Sequence, residues 1–122
     1  MLASGAGMDA SAALSELVGL STQVVEAVVT GPDGTIHAAR TAGDDRSQAL
    51  AAHGSDLLDG AATLRPGGPP VERVHVDTER GSVVVVSDGE RAVVATTVAE
   101  PTAGLVAHDL GTLLARVRGD DA

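Results

Sequence analysis

The chain contains no cysteine, no lysine, and no phenylalanine, tyrosine or tryptophan. Without Cys there is no disulfide, thiolate zinc site or cysteine nucleophile. Without Lys there is neither a Walker-type phosphate loop nor a Schiff base. Without aromatic rings there is no platform on which single-stranded bases stack. Positive charge is also scarce: 8 basic residues, all Arg, against 17 acidic ones give a net charge of −9. Such a chain repels nucleic acid and anionic membrane surfaces. No apolar run approaches the ~20 residues that cross a bilayer. The start of the chain lacks the basic segment and apolar block of a signal peptide, so the cytoplasm is the expected location. Arg in place of Lys, with abundant Ala, Val, Gly and Asp, fits a GC-rich coding bias rather than a function.

What is present is one domain's worth of chain, 122 residues and 12.1 kDa, able to bury roughly two-thirds of its unfolded surface. Residues 1–8 carry no periodicity and are expected to be a flexible lead, with one domain over 9–118 and a tail at 119–122. Asp9 is an acceptable N-cap, and Leu14, Leu17 and Val18 recur at helical spacing as far as about Leu20. Val24 to Thr30 is β-branched, meets Gly31-Pro32-Asp33-Gly34, and is followed by Thr35 to Ala39. Pro presets φ, Asp bonds its own backbone and Gly accepts positive φ, so a tight hairpin is expected.

Asp44-Asp45 opens a long helix, since acidic residues suit the positive end of its dipole. Leu50, Gly54, Leu57, Ala61 and Leu64 share a face, with Leu58 adjoining. Gly54 and Gly60 each cost up to ~1 kcal/mol relative to Ala in a helix. A second backbone coming close would explain them; so would codon bias. Arg65-Pro66-Gly67-Gly68-Pro69-Pro70 ends the helix.

Three strands follow. In Val71 to Asp77, Val74 and Val76 point one way and Arg73, His75 and Asp77 the other. The uninterrupted valines of Ser82 to Ser87, and the run Arg91 to Val98, mark strands buried on both faces. A last helix from Ala103 to Arg118 carries Val106, Leu110, Leu113, Leu114 and Val117 on one stripe, with Arg116 and Arg118 opposing its dipole. The order is α-β-β-α-β-β-β-α.

No reactive constellation emerges. His37, His53, His75 and His108 fall on four different elements. His75 and Asp77 share a strand face, but two ligands do not close a metal site. No Gly-x-Ser-x-Gly elbow exists. Asp44-Asp45, Asp120-Asp121 and the pair Asp56 and Asp59 are explained by a helix start, a tail and a solvated face. Gly5 and Gly7 follow no strand, and Gly67-Gly68 leads into a strand rather than a helix, so neither cradles a phosphate. No cofactor, metal or catalytic residue is expected, and a binding role remains.

The hairpin Val25 to Ala39, the Gly67-Gly68 stretch, the strand from Val71, Gly81-Ser-Val-Val-Val-Val, Arg91 to Val98, and Glu100 to Leu110 together resemble a Roadblock domain of the dynein light-chain family. The likeness extends from about Asp9 to Arg118. It implies an α+β fold: a five-stranded antiparallel sheet in order 2-1-5-4-3, with the middle helix on one face and the two terminal helices on the other. It also implies a homodimer in which the third strand pairs across a two-fold axis and the middle helices pack together. That interface would use Val71, Arg73, Val74, His75, Val76, Leu50, Gly54, Leu57 and Ala61. Bacterial members accompany small Ras-like GTPases and modulate or scaffold them. The turn Leu20-Ser-Thr-Gln23 departs from the family by lacking its glycine.

In the strand order that the resemblance implies, Val71 to Asp77 would be an edge strand, guarded only at its start by Pro69 and Pro70, and self-pairing would satisfy both copies. A core of Val, Leu and Ala alone suggests that subunit association supplies much of the stability.

The expected function is a non-catalytic module that regulates a GTPase; the alternatives are a self-assembling signalling scaffold, and a profilin-like or PAS-like ligand sensor or enzyme. A sensor would want an aromatic-walled pocket. Arg40, Arg65, Arg73 and Arg80 are candidate partner contacts. Either an inserted Arg or a hold on the partner's switch loops would stimulate hydrolysis, and positioning is favoured.

Overall fold

The computed structural model describes residues 10–31, 33–64, 66–68, 70–99 and 101–119, the side chains at 103, 118 and 119 apart. Its elements are α1 (Ala10–Leu20), β1 (Val24–Thr30), β2 (Ile36–Arg40), α2 (Asp44–Thr63), β3 (Arg73–Thr78), β4 (Gly81–Ser87), β5 (Ala92–Thr97) and α3 (Ala103–Gly119). The five strands form one antiparallel sheet in the order β2-β1-β5-β4-β3. The fold class and strand order expected from the sequence are those observed. Several bounds differ by a residue or two: β2 is Ile36–Arg40 rather than Thr35 to Ala39, β3 is Arg73–Thr78 rather than Val71 to Asp77, and α3 runs through Gly119, which the sequence assigns to the tail. The proposed cap Asp9, the turn residue Pro32, and Arg65 and Pro69 of the helix-ending stretch lie outside the described residues.

Alternation of side chains along each strand divides the core into two layers. Ala27, Val29, Val84, Val86, Val93 and Ala95 face α1 and α3, where Leu14, Val106, Leu110, Leu113, Leu114 and Val117 complete the larger cluster. Val28, Val85, Ala92 and Val94 face α2 and meet Leu50 and Ala51. Consecutive valines are therefore buried because each alternates between two covered faces: Val84, Val85, Val93 and Val94 are at most 1% exposed.

Local chemistry fixes the joints. In the hairpin between β1 and β2, Gly34 has φ +83° and its N–H donates to the Gly31 carbonyl at 3.1 Å, while Asp33 Oδ1 accepts the Thr35 N–H at 3.0 Å. At the start of β1, Ser21 Oγ accepts the N–H groups of Gln23 at 3.1 Å and Val24 at 3.0 Å. Gln23 in turn holds the entry to α3, its Oε1 accepting the Thr102 N–H. Toward the other end of α3, Arg116 pairs with Glu16 of α1 at 3.2 Å.

Two details tie α2 to the sheet. Arg46 shares its Nε–H between Oε2 at 3.0 Å and Oε1 at 3.1 Å of Glu26 in β1 and donates from Nη2 to Oε1 at 2.9 Å, and the Thr96 hydroxyl donates to Oε1 at 3.2 Å. The Arg46 guanidinium holds the Glu26 carboxyl below the usual range. About two turns further on, Gly54 lies against Val94: a Cβ at residue 54 would overlap Cγ2 of Val94 and stand 3.2 Å from its Cβ. The close approach that Gly54 allows is thus to the chain's own sheet, whereas the sequence reading assigned it to a second helix. Gly60 has open space around it.

Gly54→Ala should destabilise by about 1–3 kcal/mol, because buried, β-branched Val94 cannot move aside. Gly60→Ala should stabilise by up to ~1 kcal/mol through helix propensity. Urea unfolding of both variants checks the contrast, and equal effects would refute this account of Gly54. Glu26→Gln should lower the melting temperature by a few degrees at pH 7. The Glu26 contribution is complete above its unfolded pKa of about 4.3 and is lost as pH falls through the lower folded value. The two proteins should therefore converge once the pH has fallen below that lowered value, read by circular dichroism.

Candidate interaction surface

β3 closes one side of the sheet, and its backbone geometry can be worked out from a single bond. The Ser87 N–H donates to the Glu72 carbonyl at 2.8 Å, and the register pairs Arg73 with Val86, Val74 with Val85 and so on to Thr78 with Gly81. Antiparallel pairs alternate between hydrogen-bonded and non-hydrogen-bonded. Residues 72, 74, 76 and 78 therefore bond to β4, while the N–H and C=O groups of Arg73, His75 and Asp77 point outward, away from it.

The side chains of β3 separate in the same way. Val74 and Val76 lie on the α2 face, opposite Val85 and Val83; Arg73, His75 and Asp77 lie on the other face, opposite Val86, Val84 and Ser82. Val74 packs half-buried against the α2-side core, whereas Val76 is 36% exposed. On that face α2 covers the sheet closely only over its first half. Ser47, Leu50, Ala51 and Gly54 are buried, Leu57, Leu58 and Ala61 are half-buried, and Leu64 is 82% exposed. The result is an apolar margin beside an open strand edge.

The predicted interface residues thus fall into two groups. Val71, Arg73, Val74, His75, Val76, Leu57 and Ala61 are wholly or partly accessible along this margin, while Leu50 and Gly54 are committed to the chain's own core. A helical period assigns all four α2 residues to one face, but burial falls along it, from buried Leu50 and Gly54 to half-buried Leu57 and Ala61. Leu64, at the far end of that stripe, joins the accessible group. Of the candidate partner contacts, Arg40 and Arg80 are exposed and border two open hollows of about 550 and 580 Å³ that share Val25. Val25 itself is 54% exposed, where the register between β1 and β5 shifts. Arg65 lies outside the described residues.

On the far face of β3 a small polar array has formed. His75 Nε2 and Asp77 Oδ1 are 2.7 Å apart, and Ser82 Oγ donates to the same oxygen at 2.6 Å. The Ser82 hydroxyl, followed by His75, keeps the Asp77 carboxyl below its ordinary range. Ser, His and Asp are present, but both partners converge on one carboxylate oxygen and the imidazole does not stand between hydroxyl and carboxylate. This is not the geometry of an activated nucleophile. Among the described residues no three His, Asp or Glu side chains gather as metal ligands, and no helix is long and apolar enough to cross a membrane.

No model of a known protein family matches the sequence, and no curated protein is detectably similar to it. Solved structures are. The Roadblock/LC7 domain from Streptomyces avermitilis superposes with a TM-score of 0.79 at 23% identity, over 91% of this chain and 96% of that one. The gliding protein MglB from Thermus thermophilus gives 0.73 at 17% identity, over 99% and 95%. Profilin II from Acanthamoeba castellanii gives 0.66 at 15% identity, over 92% and 98%. The chain has the Roadblock/LC7 fold, an architecture whose outline profilin shares.

Proposed function

We propose that this chain is a non-catalytic interaction module that works as a homodimer and regulates or scaffolds a small Ras-like GTPase. The observation that carries the reading is the open β3 edge beside an apolar margin of α2, on a Roadblock fold. MglB, which has the same fold, is a GTPase-associated Roadblock protein. An edge with free donors and acceptors invites another strand, and a second copy presents the matching edge with the same hand. The apolar margin of Leu57, Leu64, Val74 and Val76 would then be covered by its own symmetry mate. A core without aromatic rings gains from that extra burial.

Arg40, Arg80 and the exposed Val25 offer a separate surface on which a GTPase could dock while the β3 edge is occupied. Holding the partner's switch loops in place suits these short-range contacts on the sheet and its flanks better than an inserted arginine. The localisation that goes with such a partner is cytoplasmic.

A charge at Val74 should break self-association, whereas Glu79→Lys, in the turn after β3, should leave it intact. Size-exclusion chromatography with light scattering decides the point, and an unchanged mass for Val74→Asp would remove this edge from the interface. For the partner, single-turnover GTP hydrolysis by the small Ras-like GTPase encoded nearest to this chain should be measured with and without it. A changed rate supports regulation, complex formation at an unchanged rate supports a scaffold, and failure to associate in either nucleotide state refutes the reading.

A further inference from the structure

We infer that two copies pair through β3 in one register, with His75 facing its symmetry mate on the two-fold axis and Arg73 of each copy facing Asp77 of the other. The inference rests on the homodimer proposed above and goes beyond it by fixing which residues meet.

Only Arg73, His75 and Asp77 of β3 direct N–H and C=O away from β4, as derived from the Glu72–Ser87 bond and the β3–β4 register. A two-fold axis perpendicular to the sheet keeps both α2 helices on one side and pairs residue i with j and j with i. Outward residues must then face outward residues. Centring the axis on His75 matches all three with all three, so that every free donor and acceptor within β3 is used. Moving the axis by one residue in either direction leaves Arg73 or Asp77 opposite a residue outside the strand.

The side chains select the same register independently. On the far face, Arg73 stands opposite Asp77 of the other copy, twice, and opposite charges facing each other across a strand pair are favourable. Both groups are available for this. Arg73 is exposed and makes no ion pair among the described residues. The Asp77 side chain is 80% exposed and receives its two bonds on Oδ1, leaving Oδ2 free of them. On the α2 face, Val74 of each copy stands opposite Val76 of the other in non-hydrogen-bonded positions, where side chains approach most closely. The half-buried and exposed valines of the margin thereby cover one another. With the axis at Val74, Arg73 would face His75 and Val76 would face Glu72. With the axis at Val76, Arg73 would be carried beyond the partner strand to Glu79 in the turn.

The test uses charge exchange in the full chain. Arg73→Asp places Asp opposite Asp, and Asp77→Arg places Arg opposite Arg. Each variant alone should self-associate at least tenfold more weakly than the parent. An equimolar mixture should form a heterodimer, because its facing pairs are no longer all of like charge, and the double variant should self-associate like the parent. Native mass spectrometry reads all four, and recovery in the double variant excludes misfolding as the cause of the losses.

The chain has no cysteine, so a second measurement needs only one introduced thiol. His75→Cys should form an intermolecular disulfide on mild oxidation, since facing Cα atoms in a hydrogen-bonded pair are about 5.5 Å apart. Val74→Cys and Val76→Cys should not, each facing the other type rather than itself. A dimeric parent whose double variant does not recover, or which cross-links at residue 74 or 76 in preference to 75, overturns the register alone. A parent that is monomeric at every concentration overturns the homodimer with it.

Discussion

Burial of β1, β5 and β4 on both faces is the constraint on which the rest of the molecule depends. With no aromatic ring available, each of these strands must fill two layers with Val and Ala, and both layers must be covered. One side takes α1 and α3, whose Leu and Val stripes lie flat on the sheet. The other has only α2, and a glycine lets it come close at Val94. Small side chains make close-packed layers only when the covering helix is near. The Gly54 contact and the Arg46–Glu26 bonds act together, drawing the first half of α2 onto the sheet.

That arrangement leaves a deficit at one side. Burial by α2 weakens toward the β3 margin, so Leu57 and Ala61 are only half-buried and Val76 and Leu64 stay exposed. The outward backbone groups of β3 are left open in the same place. Apolar surface and free hydrogen-bonding groups along one line are what an interface between strands requires. The functional proposal therefore grows from the same limitation that shapes the core. Nothing in the described residues resembles an enclosed pocket with converging reactive groups, and the one Ser–His–Asp array binds itself into an inert fork.

Much of this was legible beforehand because it depends on local chemistry. Turn residues at Gly31–Gly34, β-branched runs, a helical period ended by Pro and Gly, and an acidic helix start each specify an element from neighbours within a few positions. Even the double-sided burial of the central strands followed from valine at consecutive positions. That the Ser21 hydroxyl would secure the entry to β1 was not legible in the sequence. The face of α2 was harder. Its period named Leu50, Gly54, Leu57, Ala61 and Leu64 as equals, and the structure makes the first two core and the last one surface.

The sequence by itself determined the eight elements and their order, since these rest on spacing and on the conformational limits of single residues. Its composition also set the acidic charge and the absence of thiol, amine and aromatic chemistry. Only the tertiary structure decided which strand edge stays open, which half of α2 is buried and which backbone groups of β3 face outward. Those outcomes depend on contacts between residues far apart in the chain, such as Gly54 with Val94 or Arg46 with Glu26. No local pattern encodes how closely two distant elements will approach.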